Sequence, residues 1–358
     1  MSDTHDHATR RDFLAGAAIG AATLGAAALG LPSLAQAQGA PGKPAAKGNP
    51  IFPPSPAAET RFSAKGTVVR VTRPGALGGA VMPSREVARQ MVDRAVMELT
   101  GTSKPESAWA QFAQATDKVL IKPNAFGFPA MAAHPETAWA IADSLMAVGV
   151  PADNIIIYDQ MSGRMQAARY KLTLAKAKGV RVLSNKQAPY ETQFRKTPAG
   201  RTQLALPVLW ASVIIDLAVI KTHDLSGVTC AMKNITHGVV VSPGAFHRDG
   251  CAGIPHVWAL PEIKDKVKLV ITDAYKLLWD GGPHDKPRFK VPFDSVFATT
   301  DPVAMDRLAW EYVDEVRQGK GKKTLTEIGR PPKFIEAAAA MGLGTAARDQ
   351  IKLVEAKV

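Results

Sequence analysis

Leu217-Ala218-Val219-Ile220-Lys221-Thr222-His223-Asp224 is the stretch on which the reading of the fold turns. Four apolar residues in a row, without polar alternation, mark a strand covered on both faces. The run then stops on a lysine and a histidine. Ile155-Ile156-Ile157 has the same apolar character. Strand patterns recur at Thr67–Thr72, Lys118–Lys122, Asn154–Tyr158, Val180–Leu183, Val213–Lys221, Val267–Thr272 and Ser295–Thr299. Helical patterns lie between them, at Ser84–Leu99, Pro135–Val148, Gln166–Lys178, Pro302–Arg317 and Pro332–Met341. Ser84 and Asp301 read as helix caps, Asp301 with Pro302 at the first helical position. Strand–helix alternation predicts an α/β fold with a largely parallel central sheet and helices on both faces.

Five of these strands run directly into polar residues. They are Lys122-Pro123-Asn124, Tyr158-Asp159-Gln160, Lys221-Thr222-His223-Asp224, Asp273-Ala274-Tyr275 and Thr300-Asp301-Pro302. Open α/β sheets bind ligands beyond the carboxyl ends of their strands. If the strands are parallel neighbours, these residues converge. Loops are polar in any protein, so each position also has an ordinary reading: Asp301 as a cap, Asp159 as a turn residue. A lysine and a histidine ending a very apolar strand point more firmly to function.

The densest chemistry lies in residues 221–256, which hold Lys221, His223, Lys233, Asn234, His237, His247, Asp249 and Cys251. If Thr229–Val239 is helical, Lys233 and His237 share a face. Two uses compete. Lys122, Lys221, Lys233 and Arg248 would clamp a phosphate or carboxylate, with Asn124 and Asn234 donating hydrogen bonds. Alternatively His223, His237, His247, Asp249, Cys251 and Asp273 supply donors for a divalent metal. The spacing matches no recognised zinc pattern, neither His-Glu-x-x-His nor Cys-x-x-Cys. Gly281-Gly282-Pro283-His284 is a turn-rich loop, not a phosphate-binding or dinucleotide fingerprint. No Gly-x-Ser-x-Gly elbow supports a serine hydrolase.

Composition narrows the classes. The chain has 358 residues and a formal net charge of +12. Its lysines and arginines are scattered rather than interleaved with aromatics, so nucleic acid is not an expected partner. Two cysteines, Cys230 and Cys251, are too few for a four-cysteine cluster. They stand as a disulfide, as buried thiols or as thiolate ligands.

The N-terminus reads Ala8-Thr9-Arg10-Arg11-Asp12-Phe13-Leu14, then an Ala/Gly-rich run to Leu31, then Ala35-Gln36-Ala37. Charged start, apolar middle and small-residue site are the order of a secretory signal. The paired arginines resemble a twin-arginine signal, which implies passage through the twin-arginine translocase in the folded state. Cleavage after Ala37 would leave no stable membrane anchor and a periplasmic protein. A Pro/Ala-rich linker over 38–64 and a single domain over 65–358 follow.

Taken in order, several segments resemble the DUF362 family, a domain of unknown function. They are Val119-Leu120-Ile121-Lys122-Pro123-Asn124, Val219-Ile220-Lys221-Thr222-His223, and Gly227-Val228-Thr229-Cys230-Ala231-Met232-Lys233-Asn234. His247, Val270-Ile271-Thr272-Asp273, Gly281-Gly282-Pro283 and Asp301-Pro302-Val303-Ala304-Met305-Asp306 continue the series. Several relatives carry ferredoxin-type cysteines. This chain lacks that pattern, so an iron–sulfur cluster is not expected. The expected protein binds a small anionic molecule at the strand ends through Lys122, Asn124, Asp159, Lys221, Lys233 and Asn234. His223 or His247 would be the general acid/base, with Asp273 orienting a histidine. The candidate metal ligands are His223, His247 and Asp273. The alternatives are a non-catalytic periplasmic binding protein for a metal, cofactor or solute, or an accessory subunit of a redox complex.

Replacing Arg10 and Arg11 with lysine is expected to hold the precursor in the cytoplasm, and the mature protein should begin at Gln38 by N-terminal sequencing. Unchanged periplasmic accumulation of the double variant contradicts a twin-arginine route.

Overall fold

A computed structural model describes residues 49–358. The signal segment 1–37 and linker residues 38–48 lie outside the described residues. Twelve strands are described: β1 Thr67–Thr72, β2 Val119–Pro123, β3 Ile155–Tyr158, β4 Arg181–Leu183, β5 Arg195–Thr197, β6 Gly200–Thr202, β7 Val213–Ala218, β8 Lys221–His223, β9 Gly227–Thr229, β10 Val267–Leu278, β11 Lys290–Thr299 and β12 Lys352–Lys357. The main sheet runs β12-β1-β11-β10-β7-β2-β3-β4, with β8 and β9 attached at β10 and a separate β5–β6 hairpin. Pairs β10–β7, β7–β2, β2–β3, β3–β4 and β1–β12 are parallel, while β11 is antiparallel to both β10 and β1. The sheet is therefore mixed but mostly parallel, in an α/β fold.

Among the described residues ten α-helices cover the two faces: α1 Arg85–Thr100, α2 Pro105–Trp109, α3 Pro135–Ala147, α4 Ser162–Ala167, α5 Leu206–Trp210, α6 Ala231–Val239, α7 Ile254–Trp258, α8 Pro261–Lys264, α9 Pro302–Gly319 and α10 Lys333–Ala340. One apolar layer takes Ile121, Ile157, Ile215 and Ile271 from the strands and packs them on α1–α4. The other takes Leu120, Ile156, Ile214 and Val270 and packs them on α5–α10. Alternate residues of one strand thus enter opposite cores, which is why these strands are apolar throughout. The predicted caps are present: Ser84 Oγ accepts the Val87 N–H at 3.1 Å and Asp301 Oδ1 accepts that of Ala304 at 2.9 Å.

Three expectations need correction. The helix expected over Gln166–Lys178 is absent. The short helix α4 ends at Ala167, Arg169 is left-handed with φ 71°, and Thr173 is held extended by its N–H to Val182 O at 2.8 Å. Tyr170 turns inward instead, and its hydroxyl donates to Ala133 O at 2.9 Å. Tertiary partners here override helical propensity. The strand expected over Val213–Lys221 is broken at Val219-Ile220, and Lys221 starts the separate strand β8. The linker boundary also moves. Phe52 is buried, and Ser55 and Ala58 donate backbone hydrogen bonds to Leu209 O and Ser212 O, both at 2.9 Å.

Asp273 faces the α1–α4 side, away from the residues with which it was grouped. Its carboxylate accepts the backbone N–H of His134 at 2.9 Å, the Thr137 hydroxyl at 2.8 Å and His134 Nδ1 at 2.9 Å. His134 precedes α3 and makes no side-chain cap of its own. Asp273 therefore anchors the start of α3 to β10, through the residue that precedes the helix and the Thr137 hydroxyl of its first turn. This gives a mid-strand carboxylate its partners, and it sets Asp273 apart from His223 and His247. Asp273→Ala leaves three buried donors unpaired. It should lower stability by about 3 kcal/mol or more in urea unfolding, while ligand binding by the folded fraction is unchanged.

Candidate functional site

The chain reverses its direction of growth between β2 and β7. From β2 it proceeds outward to β3 and β4, and from β7 toward β10. Such a switch point opens a crevice beyond the strand carboxyl ends. A cavity of about 820 Å³ lies here. Lys122, Asn124, Asp159, Lys221, His223, Lys233, Asn234 and His247 all line it, so eight of the nine predicted site residues meet in one place. Asp273 is the exception.

Lys122, next to last in β2, lies opposite Asp216 of β7. Its ammonium donates to Pro123 O at 2.8 Å and Asn234 Oδ1 at 2.9 Å, and lies 3.5 Å from Asp159 Oδ2. Asn234 in turn donates to Asp216 Oδ1 at 2.6 Å and to Lys122 O at 3.0 Å. One amide thus ties α6 to both strands. Lys122 passes so close to α6 that a Cβ at Gly238 would overlap its Cε and Nζ. Gly127, at φ 101°, does the same for Lys221, whose Nζ would lie 2.9 Å from an added Cβ. Lys221 donates to Asn124 Oδ1 at 2.9 Å and to Phe126 O. Asp159 fixes the loop after β2 by accepting the Ala125 N–H at 2.7 Å. At the other end of α6, Asp306 accepts the Met232 N–H at 3.0 Å, and burial pushes its carboxyl up to about 8.

Burial depresses the cations. Lys122 is lowered, with Asp159 and Asp216 opposing the shift. Lys221 is brought down to about 7 by burial, with Lys122, Arg164 and Lys233 adding and Asp159 opposing. Burial also takes Lys233 to about 8. The histidines are driven further. Burial first, then Lys233 and other cations, takes His223 to about 2; burial and Lys233 take His247 to about 4. Both rings are neutral near pH 7, so neither is the near-neutral titrating group expected from composition. His223 Nδ1 accepts the N–H of Leu225 at 3.1 Å and of Ser226 at 3.4 Å. Its neutral ring therefore carries the proton on Nε2 and acts as a donor.

The three central histidines cluster. His223 stacks on His247 with ring centroids 5.4 Å apart, and His237 lies 4.6 Å from His247. His237, His247 and Cys251 each offer a donor atom within 4.8 Å of the others. Both cysteines are free thiols, so the disulfide alternative is not realised: Cys230 Sγ is 3.8 Å from Thr272 Oγ1, and Lys233 Nζ is 3.5 Å from Cys251 Sγ. Asp249 turns outward to an exposed pair with Lys333.

Sequence reasoning missed Asp216, Arg164 and Phe126. Asp216 had a signal, a lone carboxylate in an otherwise apolar strand. Arg164 and Phe126 had none. They meet through space, with the guanidinium 3.8 Å from the ring centroid.

The apoprotein of lactate racemase from Thermoanaerobacterium thermosaccharolyticum is similar at 15% identity with a TM-score of 0.35, over 64% of this chain and 55% of that one. The chain thus spans little more than half of that structure. No curated protein matches the chain. Residues 1–37 match the twin-arginine signal of the ubiquitinol–cytochrome c reductase iron–sulfur subunit, and this signal directs export to the periplasm. Among the described residues no helix is long and apolar enough to cross a membrane. Residues 119–311, more than half of the chain and all the strands that form the cavity, match the model of DUF362, a domain of unknown function; the chain belongs to that family.

Proposed function

We propose that this periplasmic protein binds a small anionic molecule in the cavity and acts on it as an enzyme. One observation carries the reading. Lys122, Lys221, Lys233 and Arg164 come from four separate elements to line one cavity, where Asp159 and the rim residue Asp224 are the acidic groups. Desolvated cations are costly unless paired. An incoming carboxylate or phosphate supplies the missing charge and accepts charge-assisted hydrogen bonds. His223 Nε2–H adds a neutral donor. The volume is that of a metabolite site.

The walls specify more of the ligand. Phe126, Val241, Pro243 and Pro283 line the cavity, and Met161 and Leu225 stand at its rim 42% and 53% exposed. An anionic head with an apolar body fits this division. Lys221 is the proton-transfer group of this reading, because an amine balanced near neutral pH gives or takes a proton at small cost. A carrier would need the cations but not a lysine so balanced.

Calorimetric titration with inorganic phosphate and with short and aromatic monocarboxylates tests the site. Lys221→Met and Lys233→Met should each weaken binding roughly ten- to a hundredfold, the loss of one charge-assisted hydrogen bond of about 1.5–3 kcal/mol. Neither variant should melt much lower than wild type, because each removes a desolvated charge. If both unfold, the lysines are structural and the assignment fails.

Affinity should also depend on pH. A bound anion favours the Lys221 ammonium and raises its pKa above the free value of about 7. Affinity is then full below about pH 7 and falls as pH rises through it, by up to about tenfold per unit, with proton uptake on binding. Asp159, Lys122, Arg164 and Lys233 face this amine and set the midpoint. Binding that is flat from pH 6.5 to 9 contradicts a titrating Lys221.

A further inference from the structure

We infer that His237, His247 and Cys251 form a mononuclear site for a transition-metal ion of the zinc class, set in the wall of the cavity. This rests on the anion-site reading only for what the metal would serve; the donors stand independently. Three donor atoms lie within 4.8 Å of one another. Bonds of about 2.0–2.3 Å place donors roughly 3.3–3.8 Å apart, so closing onto an ion takes a contraction of about 1 Å.

Two further observations point to a ligand. The Nε2 of His237 is buried with no hydrogen-bond partner among the described residues, while its Nδ1 lies 3.2 Å from the Thr236 hydroxyl. Buried polar atoms are nearly always satisfied, so this one calls for an occupant. Thr236 provides the outer hydrogen bond that orients metal-binding imidazoles. Secondly, His237 and His247 line the cavity, whereas Cys251 is fully buried behind them. An ion held by all three keeps its remaining position toward the cavity, as catalytic sites with three protein ligands do.

The donor set differs from the one expected from sequence. His223 is excluded because its Nδ1 is already committed to Leu225 and Ser226, and the neutral ring then has its proton on Nε2. Asp273 is excluded by its place under α3. Two imidazoles and a thiolate favour zinc-like, cobalt or copper ions over magnesium or calcium, which take oxygen ligands. Lys233 approaches the sulfur at 3.5 Å, so a bound cation and the ammonium repel one another.

Cobalt(II) titration of the chelator-treated protein, followed by absorption, tests the site. One equivalent should bind with a thiolate-to-cobalt charge-transfer band. Cys251→Ser should abolish the band, and His237→Gln and His247→Gln should each weaken binding at least tenfold. His223→Gln should keep the band. Lys233→Met should tighten cobalt binding while loosening phosphate, so the two readings fail separately. Absence of a stoichiometric band in the folded wild-type protein overturns the inference, whatever the variants do. So does a band that survives the loss of both His237 and His247. Phosphate titration of the same metal-free sample reports on the anion site alone.

Discussion

The burial of Lys122 is the constraint on which the site depends. Lys122 sits next to last in a strand with apolar neighbours on both faces and is 1% exposed. A charge so placed is tolerated only with several good partners. Asn234, Pro123 O and Asp159 supply them. Each partner then fixes something else. Asn234 cannot reach Lys122 unless α6 lies directly over the β2–β7 junction. Residue 238, one turn further along α6, cannot carry a Cβ there. Once α6 is so oriented, Lys233 and His237, four residues apart, face the cavity together. The position of His237 on α6 thus follows from the burial of a lysine on strand β2.

The same constraint explains why the cavity lining is electrostatically unbalanced. Asp216, Asp159 and Asp306 are each engaged in holding backbone or α6, with Asp216 also helping to stabilise Lys122. Little negative charge is left to offset the burial that lowers the pKa values of Lys221 and Lys233. A protein net stable by only about 5–15 kcal/mol carries such a cost where function requires it. In the proposed reading an anion would relieve it, which would link ligand binding to stability. A cation in the adjoining donor cluster would add to the positive charge.

Much of this was legible in the chain. Uninterrupted apolar runs identified the strands, and polar residues at the ends of the runs identified the end of the sheet where the cavity lies. That rule brought Lys122, Asp159 and Lys221 to the cavity, since the strands they end are parallel neighbours or lie beside one. It failed for Asp273 because β10 runs on to Leu278. What looked like a strand end is mid-strand, and its alternate-residue parity points Asp273 at α3. Periodicity cannot reveal such an extension when the continuation is Asp-Ala-Tyr-Lys. His237 was visible at helical spacing from Lys233, but choosing between it and His223 required the hydrogen bonds of each ring. Arg164 and Phe126 follow different strands and come together only in space, which no local pattern records.

Backbone strain adds a last link. Five non-glycine residues among those described have left-handed φ, and Ser242, Asp249 and Cys251 fall in one ten-residue stretch that also carries His247. Each such residue costs of order 1–3 kcal/mol and persists only where its surroundings impose it. An ordinary surface loop has no need of three. Here the turns at Ser242 and Asp249-Gly250 bring His247 and Cys251 back onto α6 beside His237. A chain that only had to cover the cavity could do so unstrained. The strain is intelligible if the stretch exists to place a histidine and a thiol against a third donor.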